Sequence, residues 1–548
     1  MKKNEKEALP ELRPSVNVVG AGLSGLSAAI TLAQAGIGVN LISAMPSERA
    51  QSIMAEGGIN AALDTMGEQD TTEEHFQDTM KGGVFLEKET AVRNLTEHAP
   101  EVVREMVRLG VPFRQKDGRL VLRNFGGQKK KRTAYARSST GKMLMTAMID
   151  ECRRFEAAGR IRRYPEHTLA GISVKEGRLE HILVQETKTG RCLLFPGTTI
   201  LCTGGMNGFF EGMTTGTVPN TGDAAAIAFS SGVEFGNLEM IQYHPTTVQI
   251  PNKRMLISEA ARGEGGRLYT LRKGKPWYFM EEKYPELGNL MPRDVVSRES
   301  FRVMHDPDCG GTIYLDMTAL SAEVWQTKLS DLREEIVAYL ALDPAEKPVP
   351  VSPGIHFFMG GMRVDDRHET NVKGLYAAGE AACKYHGANR LGGNSLLGAL
   401  FGGRVAALAV LEDRGIRIPF AYPEREQAAA YFRSGESCRE TTDQPCGMSS
   451  PAVSAKLREA LLYGLGIVRE EKTLQEARKR ILGLLGGELS ELDRKRVLLG
   501  LAMVESALYR KESRGAHFRE DHPEQDEAFR RTTLAYLKNG KVEIRPED

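Results

Sequence analysis

At 548 residues the chain exceeds what one ordinary hydrophobic core holds, so two or three domains are predicted. Hydrophobic residues at 41% and charged residues at 26% are ordinary for a soluble globular protein, and a net charge of +1 leaves no global field to draw nucleic acid or an anionic membrane. The seven Cys form no C-x-x-C pair, ferredoxin-like run or haem-attachment motif, so any iron–sulfur cluster or haem belongs to another chain, and no metal site is predicted.

Met1–Pro14 is Lys/Glu-rich, lacks the apolar core of a signal peptide and reads as a mobile leader. Ser15–Gly20 (SVNVVG) is a β-branched run entering a glycine turn. Leu26–Ala35 has the Ala/Leu composition of a buried helix, and Ile37–Ile42 resumes as a strand, which makes a βαβ unit. Lys129–Arg132 is a charge run that reads as a solvated loop. Further strands are predicted at Thr198–Cys202, ending in Thr203-Gly204-Gly205, and at Gly374–Ala377, ending in Ala378-Gly379-Glu380. One nucleotide-binding sheet is thus assembled from distant pieces.

The predicted fold is α/β, with a Rossmann-like FAD-binding domain in discontinuous segments (15–239 and 350–412). The FAD assignment of the first domain is what the family resemblance given below implies; an irregular capping domain (240–349) is inserted, and a C-terminal helical domain (413–548) has apolar helix spacing in Ala455–Ile467 and Arg494–Tyr509. Gly435–Met448, polar with Cys and Pro, reads as a loop. No apolar run approaches the roughly 20 residues that span a bilayer. With scattered thiols suited to a reducing compartment, the prediction is a cytoplasmic protein that meets a membrane only through partner subunits.

Gly20-x-Gly22-x-x-Gly25 lies between the first strand and helix. The first Gly permits the tight turn, the second lets backbone approach a pyrophosphate, and the third allows close helix–strand packing, with the helix N-terminus facing the anion. That context points to dinucleotide binding. The usual acidic ribose partner at the end of the second strand is replaced by Ser43, so the ribose must be held elsewhere. Glu380 is one candidate carboxylate. Asp223, at a predicted helix start, is either a second candidate or an N-cap.

Many ordered motifs then coincide: Ala55-Glu56-Gly57-Gly58-Ile59-Asn60-Ala61, His75-Phe76-x-Asp78-Thr79-x-Lys81-Gly82, Asn124-Phe125-Gly126-Gly127 and Gln242-Tyr243-His244-Pro245-Thr246. Downstream come Glu259-x-x-Arg262-Gly263-Glu264, Pro292-Arg293-Asp294, His356-x-x-Met359-Gly360-Gly361, Gly387–Leu396 and Arg510–His517. From about residue 15 to about residue 535 the chain resembles the succinate dehydrogenase/fumarate reductase flavoprotein family. The resemblance implies FAD as cofactor, with Gly20, Gly22, Gly25, Ser43, Ser52, Gly57, Gly58, Thr203, Gly204, Asp223, Glu380, Arg390, Ser395 and Leu396 around it. It makes His244, Arg390 and His356 the carboxylate clamps, Ser258, Gly393 and the Gly57-Gly58 backbone lesser contacts, and Phe125 the ring pressing on the substrate. It assigns the proton to Arg293, resupplied by Glu259 and Arg262. These residue types suit such chemistry. A dianion needs paired donors at each end, and reduction of a conjugated double bond needs positive charge where enolate charge develops.

One departure matters. Membrane-complex members of the family attach FAD through a His seven residues before the second Gly of the A-E-G-G match, and here that register places Gln51. The implied cofactor is therefore non-covalent FAD, with a bias toward fumarate reduction. The rival reading is L-aspartate oxidase, a relative with non-covalent FAD; a retuned site for another unsaturated acid and a docking subunit without turnover stand further off. Electrons must come from an iron–sulfur subunit or a soluble donor.

Overall fold

The fold is that of a computed structural model, which describes residues 15–137, 139–421, 438–441, 445 and 447–547. The leader and half of the 435–448 stretch lie outside the described residues; within the other half Arg439–Thr441 is not loop but a strand paired with Cys192–Pro196. Strands Val16–Val19 and Val39–Ser43 flank the helix Leu23–Gln34, and all five strands of the central sheet run parallel. Their order is Leu375–Ala377, Thr199–Leu201, Val16–Val19, Val39–Ser43, Ile161–Pro165, so the distant pieces do join one sheet. The last strand was not predicted: IRRYP sits at the sheet edge, where its two arginines hide the pattern.

The glycine turn works through contact distances. A Cβ on Gly25 would lie 1.8 Å from the Gly20 carbonyl oxygen, and one on Gly20 (φ +112°) 2.0 Å from that of Cys202. The helix can approach the strand ends only because both side chains are absent. The first helix packs against the helix Asn394–Asp413. That helix has 20 residues and a mean hydropathy of 1.5, long and apolar enough to cross a membrane, yet 78% of its apolar window is buried inside the protein. It contains the buried Arg404 and forms core.

The segment read as irregular is in fact built on a six-stranded sheet, which also recruits Val349–Phe358 from beyond the predicted boundary. Strand Ile241–Ile250 pairs antiparallel with Val349–Phe358, Gln242 opposite Phe357 and His244 opposite Gly354. The C-terminal region is not purely helical. Helices Pro451–Gly464, Glu471–Leu485 and Glu491–Tyr509 are followed by a hairpin, Thr533–Lys538 with Lys541–Pro546, that pairs with Phe235–Gly236. Its turn, Asn539-Gly540, has positive φ at both residues (52° and 74°), the geometry that matches the twist of paired strands.

Buried charge ties the regions together. Arg510 Nε donates to Glu239 Oε1 at 2.6 Å and Nη1 to Glu512 Oε1 at 2.8 Å, anchoring the C-terminal segment at the entry to the Ile241 strand. The 129–132 run is only partly solvated: Lys131 is exposed, but Arg132 is fully buried and pairs with Asp70 (2.9 Å) and Asp78 (3.0 Å).

Two glycine substitutions should act in opposite directions. Gly25→Ala forces the helix off the strand and should lower unfolding free energy by more than about 2 kcal/mol. Gly483→Ala, in a helix with nothing within 4 Å of its Cβ position, should raise it by about 0.5–1 kcal/mol. Urea unfolding of the two variants measures both.

Candidate active site

A cavity of about 910 Å³ runs from the glycine turn to the capping sheet. It is lined by Gly20, Gly22, Ser43, Ser52, Gly57, Gly58, Phe125, Thr203, Gly204, Asp223, His244, Ser258, Glu259, Arg293, His356, Glu380, Arg390, Gly393, Ser395 and Leu396. Of the predicted site residues only Gly25 and Arg262 are absent from its walls. Gly25 packs beneath the turn, and Arg262 stands behind Glu259.

At the capping end, the strand register brings the His244 and His356 rings to 5.2 Å between centroids. Nδ1 of His244 lies 3.2 Å from the Thr246 carbonyl, and its Nε2 is buried without a partner among the described residues. His356 Nδ1 is 2.8 Å from the Thr215 hydroxyl. Burial, then Arg293, His356 and Arg262, hold the His244 imidazole well below its usual pKa; burial, Arg390 and Arg293 do the same to His356. Both rings are neutral at physiological pH, which leaves them as hydrogen-bonding groups rather than cations.

The positive charge comes from arginines. Arg293 opens the helix Arg293–Met304 and donates from Nε (2.9 Å) and Nη2 (2.7 Å) to Glu259 Oε2, not to Asp294, whose carboxylate accepts from Asn389. Glu259 Oε1 accepts from the Gly126 N–H at 3.1 Å and lies 3.4 Å from Arg262 Nη2. Arg262 Nη1 in turn donates to the Asn289 carbonyl at 2.5 Å. Burial pushes the Glu259 carboxyl up, but Arg293 and Arg262 outweigh it and hold the group below its usual range. Arg390 lies 4.1 Å above the Phe357 ring, and burial and Arg293 hold its guanidinium well below its usual pKa despite Glu380 and Glu259.

Two further residues shape the site without having been predicted. Gln242 Oε1 accepts from Arg293 Nη1 (3.2 Å) and Arg390 Nε (3.3 Å), while its Nε2 donates to Asn389 Oδ1 and the Arg390 carbonyl. It spaces the two cations. Arg123 donates to the Gly57 carbonyl and lies 5.4 Å over Phe125 and 4.2 Å over Tyr135. Gln242 stands inside one family motif and Arg123 beside another, but an amide and a lone arginine carry no signal of their role.

The nucleotide end differs from expectation in one respect. Gly222, not Asp223, is the N-cap of the helix Asp223–Ser230, and the Asp223 carboxylate pairs with Arg496. Ser52 Oγ accepts from the Leu23 N–H at 3.2 Å, at the N-terminus of the first helix. Ser43 Oγ donates to the Met45 carbonyl. Gly393, in the left-handed region (φ +84°), caps the Asn394–Asp413 helix and brings Ser395 and Leu396 to the cavity. Gln51 Oε1 accepts from the Thr217 N–H at 2.6 Å.

A profile described as an FAD binding domain matches residues 15–396, and one described as the fumarate reductase flavoprotein C-terminus matches residues 487–548. The succinate dehydrogenase flavoprotein subunit of Bacillus subtilis is 36% identical over 547 residues, covering 95% of this chain and 93% of its own length. This chain belongs to the succinate dehydrogenase/fumarate reductase flavoprotein family. It is an FAD-dependent oxidoreductase. The flavoprotein is also 31% identical to the L-aspartate oxidase of Streptomyces coelicolor, over 95% of this chain and 91% of that one. A quinol fumarate reductase structure from E. coli matches it with a TM-score of 0.83 at 28% identity, over 98% of this chain and 96% of that one.

The residues of this flavoprotein fit FAD. The N-termini of helices Leu23–Gln34, Asp223–Ser230 and Asn394–Asp413 open on the cavity, and the glycine turn leaves room where a side chain would project: a Cβ on Gly22 would meet Ser52 Oγ at 3.2 Å. Glu380 Oε1 accepts from the Phe358 N–H at 3.0 Å, and burial pushes its carboxyl up to about 7. A raised folded pKa means stability fully present below the unfolded value near 4.5 and lost as pH rises through about 7. Glu380→Gln removes that loss, so the stability of the variant relative to the parent apoprotein should climb by about 3 kcal/mol between about pH 5 and pH 8. Urea unfolding across that range checks the sign.

Proposed function

We propose that the flavoprotein interconverts fumarate and succinate and favours fumarate reduction. The carrying observation is the charge of the capping end. Arg262, Arg293 and Arg390 surround Glu259, a surplus of two positive charges while Glu380 is protonated, in a site where burial makes uncompensated charge costly. A dicarboxylate dianion neutralises that surplus. His244, through Nε2, and His356 donate to one carboxylate, and Arg390 binds a carboxylate through its terminal nitrogens. Phe125 presses on the carbon skeleton, with Ser258 and the Gly57-Gly58 and Gly393 backbone as further contacts.

FAD, when bound, supplies hydride chemistry at one olefinic carbon. Arg293 delivers the proton to the other. A guanidinium surrenders a proton reluctantly, and the ionised Glu259, 2.7 Å from Arg293 Nη2, passes back a proton it takes from Arg262 behind it, which solvent then recharges. Around the cofactor, the Gly20–Gly22 turn and the Leu23 helix end would hold the pyrophosphate, and the Asn394 helix end would face the flavin. Glu380 and Asp223 would bind hydroxyls. Gln51 occupies the position of the histidyl–flavin bond and cannot form it, so FAD is held non-covalently. In the family the loss of that bond impairs succinate oxidation more than fumarate reduction. Electrons arrive from an iron–sulfur subunit or a soluble donor, on the cytoplasmic side of any membrane the assembly meets.

The purified holoenzyme should release yellow FAD into the supernatant on acid precipitation and oxidise reduced viologen when given fumarate. Arg293→Lys should lower kcat by about 10²–10⁴-fold with KM little changed. Flavin retained in the pellet would overturn the non-covalent reading. Peroxide formation from L-aspartate without fumarate turnover would move the protein to the oxidase branch of its relatives.

A further inference from the structure

One wall of the cavity runs from Glu380 through Gly205, on which Glu380 and Phe358 pack, and Gly204, on which Asn220 packs, to Thr221 and Asp223. The Asp223 carboxylate is half committed. Oδ1 pairs with Arg496 Nη1, and no hydrogen bond to Oδ2 is made among the described residues. Arg496 belongs to the Glu491–Tyr509 helix, 273 residues further along and outside the 15–396 span that matches the FAD binding domain. Its Nη1 also donates to the Thr221 carbonyl at 3.1 Å, Nη2 to the Gly208 carbonyl at 3.4 Å, and the guanidinium lies 4.6 Å over the Phe209 ring. Nε is buried without a partner among the described residues. Leu492, one turn earlier on the same face of that helix, lines the cavity as well.

We propose that the C-terminal domain completes the cofactor site, and that Arg496 positions Asp223 to bind the adenosine half of FAD. This rests on the FAD reading above. The glycine turn takes the pyrophosphate and the reacting half must reach the His244–Arg390 end, so the Asp223 end receives the adenosine. Asp223 there must accept from a ribose hydroxyl without repelling the neighbouring diphosphate. Arg496 meets both needs: it fixes the rotamer by occupying Oδ1, leaves Oδ2 open, and balances the carboxylate charge. Because the same guanidinium grips Gly208 and Thr221, it sets the wall as well as the side chain.

A purely structural tie between domains would look similar in coordinates but not in ligand binding. Apoprotein should be titrated with FAD, and ADP used to compete for the same site, in the parent, Arg496→Met and Arg496→Lys. Arg496→Met should weaken FAD and ADP by the same factor, at least about tenfold, with Arg496→Lys intermediate and the apoprotein melting transition retained in the latter. Unchanged affinities, or FAD weakened while ADP is not, would overturn the assignment. A parent apoprotein that takes up no FAD would instead sink the cofactor reading itself.

Discussion

Three guanidinium groups gathered around one carboxylate, away from bulk water, are the constraint to which the rest of the active site answers. A cation in a poorly solvated interior is tolerated only when paired, and Glu259 pairs two of them, Arg293 closely and Arg262 more loosely. The third, Arg390, rests on the face of Phe357 and shares the Gln242 oxygen with Arg293. Burial first, and then these guanidinium groups, keep His244 and His356 neutral. Glu380, at the margin of the same field, runs against it: burial raises its carboxyl pKa by more than Arg390 lowers it.

The constraint also explains why the site needs so much scaffold. Like charges do not stay close unless each is fixed from behind. Arg293 is fixed by its place at the start of a helix, Arg262 by the Asn289 carbonyl, and Arg390 by a loop whose Asn389 reaches both Gln242 and Asp294. These anchors come from the capping sheet, the helix beside it and the second part of the nucleotide domain. Shear between those units would change distances among cations first, so the positioning of the units and the spacing of the cations are one property.

Much of this is legible in the residues, and the exceptions have physical causes. The glycine turn and its flanking strands can be read because backbone geometry there excludes side chains. His244 and His356 are legible only through motif resemblance, because what joins them is an antiparallel register across more than a hundred residues. Gln242 escapes because a buried amide looks like any other polar residue until its partners are seen. Arg132 defeats the solvated-loop reading since a run of four basic residues says nothing about which one turns inward. The terminal hairpin carries its own Asn539-Gly540 signal, masked by the helical pattern before it. Ile161–Pro165 offers no signal: edge strands bury too little to show alternation.

The parallel sheet has a consequence for how the protein is made. The strand Val16–Val19 lies between Val39–Ser43 and Thr199–Leu201, and the latter waits in turn for Leu375–Ala377. At a synthesis rate of about 5–20 residues per second, the first strand leaves the ribosome roughly 10–40 s before its second neighbour exists. During that interval an apolar strand has one open edge and no helix Asn394–Asp413 to cover its layer, the state in which chains aggregate or recruit chaperones. The helix end at Ser395, which shares the cavity with the glycine turn, emerges later still.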